Sequence, residues 1–342
     1  MTSLHPDAVD IDSSTVDIGS FPTPVETAPT FGAELGVPNL SLKREDLAGE
    51  SYGGNKVRKL RYLLGAAIDE GCSRVFTSGA VGSNHVLATV THARGVELVP
   101  EALQFPQEPT PHVRQNLQAL AAQSPTLRLV GSKYRFPPAL AAKRVRLARD
   151  EDCFAIPTGG SSPLGTVGYV EAATELAMQV EAGEIPEPDV IVVPASSGGT
   201  LAGLRVGLDL TSLSSQLVGV RVAPWFAVNR LTVARLANKT AALCGLSGQR
   251  YRRADITLCG EYIGSGYAEP TPAGERVQAV AAEYGLTLDP TYTAKTVAAI
   301  AGEFDDERVL YWHTLSSTRP EGCSVAKARE RLPDGYERFL EG

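Results

Sequence analysis

Along this chain, short runs of apolar and β-branched residues repeatedly give way to a glycine- or serine-rich turn, and then to apolar positions spaced three and four apart. RVFTSGAVGSNHVLATVTHARG (74–95) and DVIVVPASSGGTLAGLRVGL (189–208) show the pattern best. The first part of each predicts a strand, and the second a helix. Further strands are predicted in TLRLV (126–130), CFAIPTGG (153–160), LVGVRVA (217–223) and RVLYWHT (308–314), with helices over 167–182, 271–284 and 293–303. Such alternation predicts an α/β protein whose sheet is mainly parallel and covered by helices. QFPQEPTPHV (104–113) and EAGEIPEPD (181–189) punctuate the pattern as loops, and KRVRLARDED (143–152) predicts the solvated face of a helix.

Length and charge narrow the picture. With 342 residues the chain exceeds one compact domain, so two domains, or one α/β unit with an inserted lobe, are expected. Hydrophobic residues make up 43% and charged ones 21%, the composition of a folding chain. Against 39 Asp and Glu there are 32 Lys and Arg, a net −7 that gives no footprint for nucleic acid or an anionic membrane. A small-molecule partner is expected instead. The five cysteines are odd in number, scattered and never C-x-x-C, which argues against a disulfide framework or a zinc site and fits a reducing cytoplasm. No basic leader with an apolar run opens the chain, and no segment reaches the roughly 18 apolar residues of a membrane span.

In open α/β sheets ligands gather beyond the carboxyl ends of strands, so the turns carry the candidate chemistry. Ser197, Gly198, Gly199 and Thr200 follow an apolar strand and open a helix, where backbone N–H groups and hydroxyls suit a phosphate; a tight packing turn fits the same residues. The Lys-Ser/Thr pair of a Walker loop and the G-x-G-x-x-G spacing are both missing, which disfavours a nucleotidase or a dinucleotide dehydrogenase. Ser83, Asn84 and His85 sit in a second such turn, as ligands or as helix caps, and IPTGGSSPLG (156–165) makes a third. Upstream, SYGGNKVRKL (51–60) places Lys56 behind two glycines that would let a flat ligand approach, with Arg58 and Lys59 close enough to destabilise its ammonium. A phosphate cradle and an activated lysine together are what pyridoxal phosphate requires. From the decapeptide alone, a surface lysine at a helix start fits as well.

These segments, with GSGYAEP (264–270) and LDPTYTAK (288–295), resemble in order the D-cysteine desulfhydrase and 1-aminocyclopropane-1-carboxylate deaminase family, from about residue 20 to 320. The resemblance implies a fold-type II pyridoxal-phosphate enzyme of two three-layer α/β/α domains. Residues 1–51 and 165–342 would form the larger, 52–164 the smaller, with the cofactor between them. It makes Lys56 the Schiff-base lysine and residues 197–200 the phosphate loop. Asn84 falls near the phenolic oxygen of the cofactor, and Ser83, Tyr267 and Tyr292 on the substrate side. A small amino-acid substrate and a homodimer are implied as well.

Within that family, the deaminase branch has a glutamate after the tyrosine of DP-x-Y, facing the pyridine nitrogen. Here the residue is Thr293, and Thr314 matches a second threonine near the same nitrogen. A hydroxyl cannot protonate pyridine, so the resemblance implies β-elimination to pyruvate and ammonia; ring opening and a catalytically silent homologue remain the alternatives. Two positions depart from the desulfhydrase pattern. Gly82 replaces a glutamine, and HTLSS replaces a His-Thr-Gly-Gly run, so the substrate is D-cysteine or a relative such as cysteate.

Overall fold

The computed structural model describes residues 14–246 and 248–341. Its strands are β1 (Val25–Thr27), β2 (Leu40–Lys43), β3 (Arg74–Ala80), β4 (Val99–Phe105), β5 (Thr126–Leu129), β6 (Cys153–Ala155), β7 (Val190–Ala195), β8 (Gln216–Arg221), β9 (Thr257–Cys259) and β10 (Val309–Trp312). The helices are α1 (Pro29–Glu34), α2 (Lys56–Asp69), α3 (Asn84–Gly95), α4 (Pro111–Gln123), α5 (Phe136–Leu147), α6 (Pro163–Glu181), α7 (Gly199–Leu208), α8 (Arg230–Leu243), α9 (Pro272–Glu283), α10 (Thr293–Glu303) and α11 (Val325–Arg331).

Two sheets form. One runs β1-β2-β10-β7-β8-β9, parallel except for β1; the other, β5-β4-β3-β6, is parallel throughout. The central strands β7 and β10 are buried along their whole length, as strands covered on both faces must be. Their side chains divide with the two-residue period of a strand. Ile191, Val193, Leu310 and Trp312 pack on one face with α6, α7 and α8; Val190, Val192, Val309 and Tyr311 pack on the other with α1, α9 and α10. The smaller sheet is layered likewise, with Val75 and Ala102 against α2, α3 and α4 and Phe76 and Leu103 against α5. Both units are therefore three-layered.

The C-terminal end departs from the sequence expectation, which puts 165–342 in the larger unit. Ala328, Leu332, Tyr336 and Phe339 pack with Leu117 and Leu120 of α4 in the core of the smaller one, and the Tyr336 hydroxyl donates to Gln104 Oε1 at 2.9 Å. The segment crosses back because α4 would otherwise leave an apolar face uncovered.

Glycine decides how closely the helices approach. A Cβ on Gly168 of α6 would stand 2.4 Å from the Arg58 carbonyl oxygen of α2, and one on Gly203 of α7 would stand 2.4 Å from Tyr169 Cβ. So α2, α6 and α7 pack backbone to backbone, which aims the N-termini of α2 and α7 at one place.

Candidate active site

That place is a cleft of about 1390 Å³ between the carboxyl ends of β3 and β7. Lys56, Ser83, Asn84, Ser197, Gly198, Thr200, Tyr267, Tyr292 and Thr314 all line it. Gly199 and Thr293, both buried, are not among its lining residues.

Lys56 is the first residue of α2. Its Nζ donates to Asn55 Oδ1 at 2.7 Å, and Asn55 Nδ2 donates to Thr200 Oγ1 at 3.2 Å, which ties the lysine to the first turn of α7. Burial lowers its pKa to about 8, against the opposing pull of Asp289. Burial therefore makes the unprotonated amine far more accessible near neutral pH than in an ordinary lysine. The two glycines ahead of it serve a different purpose from the one the sequence suggests. Gly54 has φ +79°, and a Cβ there would stand 2.6 Å from the Thr314 carbonyl oxygen; a Cβ on Gly53 would stand 2.3 Å from that of Asp46. They let the loop lie against neighbouring backbone, where Asn55 N donates to Thr314 O at 3.1 Å, while Gly53 also lines the cleft.

Arg58 is likewise not an activator of Lys56. Its Nε donates to Glu45 Oε1 at 2.6 Å and its Nη2 to Glu175 Oε1 at 2.8 Å, on the side of α2 away from the cleft. Lys59, expected only as a neighbouring charge, itself lines the cleft. It lies one helical turn from Lys56, on the same face, with Nζ 3.3 Å from Gly159 O and 3.4 Å from Ser161 Oγ. Among the described residues no carboxylate pairs with it, and burial, with the charge of Lys56, drives its pKa well below the usual lysine value. Around it stand Ser161, whose Oγ is 2.7 Å from Ser197 Oγ and accepts from Gly199 N at 3.2 Å, and the start of α7. A Cβ on Gly199 would come within 2.4 Å of Ser161 Oγ and 2.9 Å of Lys59 Nζ. A buried, unpaired ammonium beside hydroxyls and a helix N-terminus is a site that needs an anion. His85 adds a buried Nδ1 without a partner among the described residues; its Nε2 is 2.8 Å from Thr77 Oγ1. These residues fit the phosphate of pyridoxal phosphate.

On the opposite wall the Tyr267 and Tyr292 hydroxyls share a hydrogen bond, and burial raises both pKa values. Asp289, which also lines the cleft, accepts at Oδ1 from Thr291 N (2.9 Å) and Tyr292 N (2.7 Å) and so caps α10. Thr293 is spent on the same cap: its hydroxyl donates to Asp289 Oδ2 at 2.9 Å and accepts from Asp289 N at 2.6 Å. Thr314 is the threonine that reaches the cleft wall. Ser83 caps α3, accepting from Val86 N at 3.4 Å, and still lines the cleft, so capping and lining are not exclusive. Gly82 has φ +76°, and a Cβ there would stand 2.8 Å from Val113 Cα, so α4 fills the space in which a glutamine was expected.

The model of a family described as pyridoxal-phosphate dependent enzyme matches residues 16–314. A D-cysteine desulfhydrase of Salmonella newport is 34% identical over 308 residues, covering 86% of this chain and 91% of that protein. A solved structure described as an ACC deaminase homologue is 30% identical with a TM-score of 0.79, covering 96% of this chain and 100% of its own. A fungal L-serine ammonia-lyase from Rhizomucor miehei, 18% identical with a TM-score of 0.58 over 92% of this chain and 98% of its own, shares the fold. Among the described residues no helix is long and apolar enough to cross a membrane, and no group of His, Cys, Asp and Glu could hold a metal. With a lysine and an anion cradle facing one cleft, and likeness along most of its length, the chain belongs to the family of pyridoxal-phosphate-dependent enzymes.

Proposed function

We propose that the protein is a lyase acting by α,β-elimination on a small amino acid, D-cysteine or a β-substituted relative such as cysteate, to give pyruvate, ammonia and the leaving group. The observation that carries this reading is that Lys56, whose charged form burial disfavours, lines the same cleft as the cradle around Lys59. When bound, pyridoxal phosphate supplies the electron sink that makes the α-proton of the substrate removable. Lys56 would hold it through its aldehyde and, once displaced there by the amine of the substrate, would take that proton at Nζ. Ser83 and the amide of Asn84 would bind the substrate carboxylate and the phenolic oxygen of the cofactor, and the hydrogen-bonded Tyr267–Tyr292 pair would give a phenolic proton to the departing β-group. The enamine that remains hydrolyses to pyruvate and ammonia.

Elimination is favoured over ring opening by the donor set: Thr314 on the cleft wall would offer the ring nitrogen a hydroxyl, while the Asp289 carboxylate accepts from Thr291 N, Tyr292 N and the Thr293 hydroxyl. The likeness to the deaminase homologue favours ring opening of 1-aminocyclopropane-1-carboxylate as the second reading. Cys72, Cys153, Cys244, Cys259 and Cys323 are all free thiols, in keeping with work in a reducing cytoplasm, and a homodimer completes the reading. The test is a screen of D- and L-cysteine, cysteate and 1-aminocyclopropane-1-carboxylate with parent and Lys56→Ala. Pyruvate with equimolar sulfide or sulfite, absent in the variant, is expected. A four-carbon oxo acid from the cyclic substrate alone would move the assignment to the second reading.

A further inference from the structure

Asn84 does not stand alone in the cleft wall. Its Oδ1 accepts from His112 Nε2 and from Asn116 Nδ2, both at 2.8 Å, and both donors belong to α4. Asn116 Nδ2 also donates to Gly82 O at 2.8 Å and lies 3.2 Å from His112 Nε2. Behind His112, Arg319 Nη2 lies 3.3 Å from Nδ1, and Arg319 Nη1 donates to Gln115 Oε1 at 2.5 Å.

The Arg319 end sets the direction of the proton on His112. A guanidinium cannot accept, so His112 Nδ1 must; the ring proton therefore sits on Nε2 and is donated to Asn84. Burial lowers the pKa of His112, which favours the neutral ring that this direction requires, with Asp289 opposing and Arg319 reinforcing the shift. With two donors on Oδ1, the NH2 group of Asn84 is the end left for the cleft. Turning the amide over would break both bonds, at about 1 kcal/mol each, and set its NH2 against two donors. Asn116 shows that the arrangement is held at a cost, since its own Oδ1 is buried without a partner among the described residues. Gly82 makes the contact feasible, because only a residue without a side chain lets Val113 of α4 come so close.

We propose that Arg319, His112 and Asn116 form a positioning relay that fixes Asn84 as a hydrogen-bond donor toward an anionic oxygen in the cleft, the phenolic oxygen of the cofactor. The second half of that statement rests on the cofactor reading above; the relay itself does not. None of the three need touch the substrate. They act through the orientation of one amide, and the charge of Arg319 at the far end polarises each donor in turn.

The relay is tested first in cofactor-free protein by 15N NMR of labelled histidine. His112 should be neutral and protonated on Nε2, and Arg319→Met should remove that preference; a parent ring protonated on Nδ1 would overturn the relay. In the holoenzyme, His112→Phe should shift absorption of the bound cofactor from its visible to its near-ultraviolet band and weaken cofactor binding about 5- to 10-fold. His112→Gln, whose amide nitrogen can stand where Nε2 stood, should restore both. Should His112→Phe fail to fold, Asn116→Leu carries the same expectation. Spectrum and affinity equal to the parent in a folded variant, with borohydride still attaching the cofactor to Lys56, would show that Asn84 is not held by this relay. No attachment to Lys56 in the parent would instead sink the cofactor reading, and the tautomer measurement would still decide the relay.

Discussion

Arg58 and Lys59 are neighbours on one helix and equally buried, at 1% exposure each, yet they meet opposite surroundings. Arg58 turns into a closed set of partners: Glu45 and Glu175 hold it, Lys43 bonds Glu175 Oε1 and Gln179 Oε1 at 2.5 Å, and Trp312 Nε1 donates to Glu45 Oε2 at 3.0 Å. Lys59 turns into the cleft and finds a carbonyl and a hydroxyl, but no carboxylate among the described residues. A buried cation with its charge matched holds structure together; one left unmatched is waiting for a ligand. On α2 the two kinds differ by a rotation of one residue, about 100°.

Perturbing the two faces should therefore have different consequences. Lys56→Ala, on the cleft face, should lower turnover by roughly a thousandfold or more while leaving the melting temperature within a degree or two, measured by steady-state kinetics and thermal unfolding. A variant that retained activity would remove the lysine from the chemistry. On the other face, Glu45→Ala leaves Arg58 Nε and the Trp312 N–H unpaired in the core and should cost about 3–5 kcal/mol in denaturant unfolding. A cost under about 1 kcal/mol would mean that the closed set is not what holds α2 in place.

Lys59→Met separates the two faces most sharply. It removes a buried unmatched charge, so the cofactor-free protein should be as stable as the parent or more so. At the same time affinity for pyridoxal phosphate should fall about ten- to a hundredfold, followed by equilibrium titration. Loss of stability with unchanged affinity would make Lys59 a structural residue after all. The smallest effect concerns pH. Only the free amine attacks a carbonyl, and the pKa of Lys56 is lowered, so attachment of cofactor should rise with pH and level off above about 8. Asp289→Asn keeps the helix cap but removes the carboxylate that raises this pKa, so the midpoint should move down by less than about one unit. A midpoint moving upward would contradict the electrostatic account.

What the sequence disclosed follows from how local each signal is. The βα turns after β3 and β7 were legible because strand, turn and helix lie within some twenty consecutive residues, and the buried strands spell out their apolar runs. The β1–β2 pairing was not. Val25–Thr27 is short and largely exposed, so its three residues carry no burial pattern to read. Arg58 was misread because its partner Glu175 is 117 positions away, and only the fold brings them together. Lys59 could have been found: the i, i+3 spacing from Lys56 already set both on one face of a helix. Gly53 and Gly54 were seen as special, but the backbone they touch, at Asp46 and Thr314, is supplied by other elements. His112, Asn116 and Arg319 carried no motif at all, and their connection to Asn84 exists only in three dimensions.

Two lysines of α2 face the cleft, and one of them, Lys56, is expected to meet the carbonyl of the cofactor. Adding pyridoxal phosphate to the protein, reducing with borohydride and mapping the modified peptide by mass spectrometry reads this directly. One equivalent on Lys56 is expected, with none on Lys59, which stays bound to the phosphate. Modification of Lys59 in place of Lys56, or of neither, would contradict the division of work between the two.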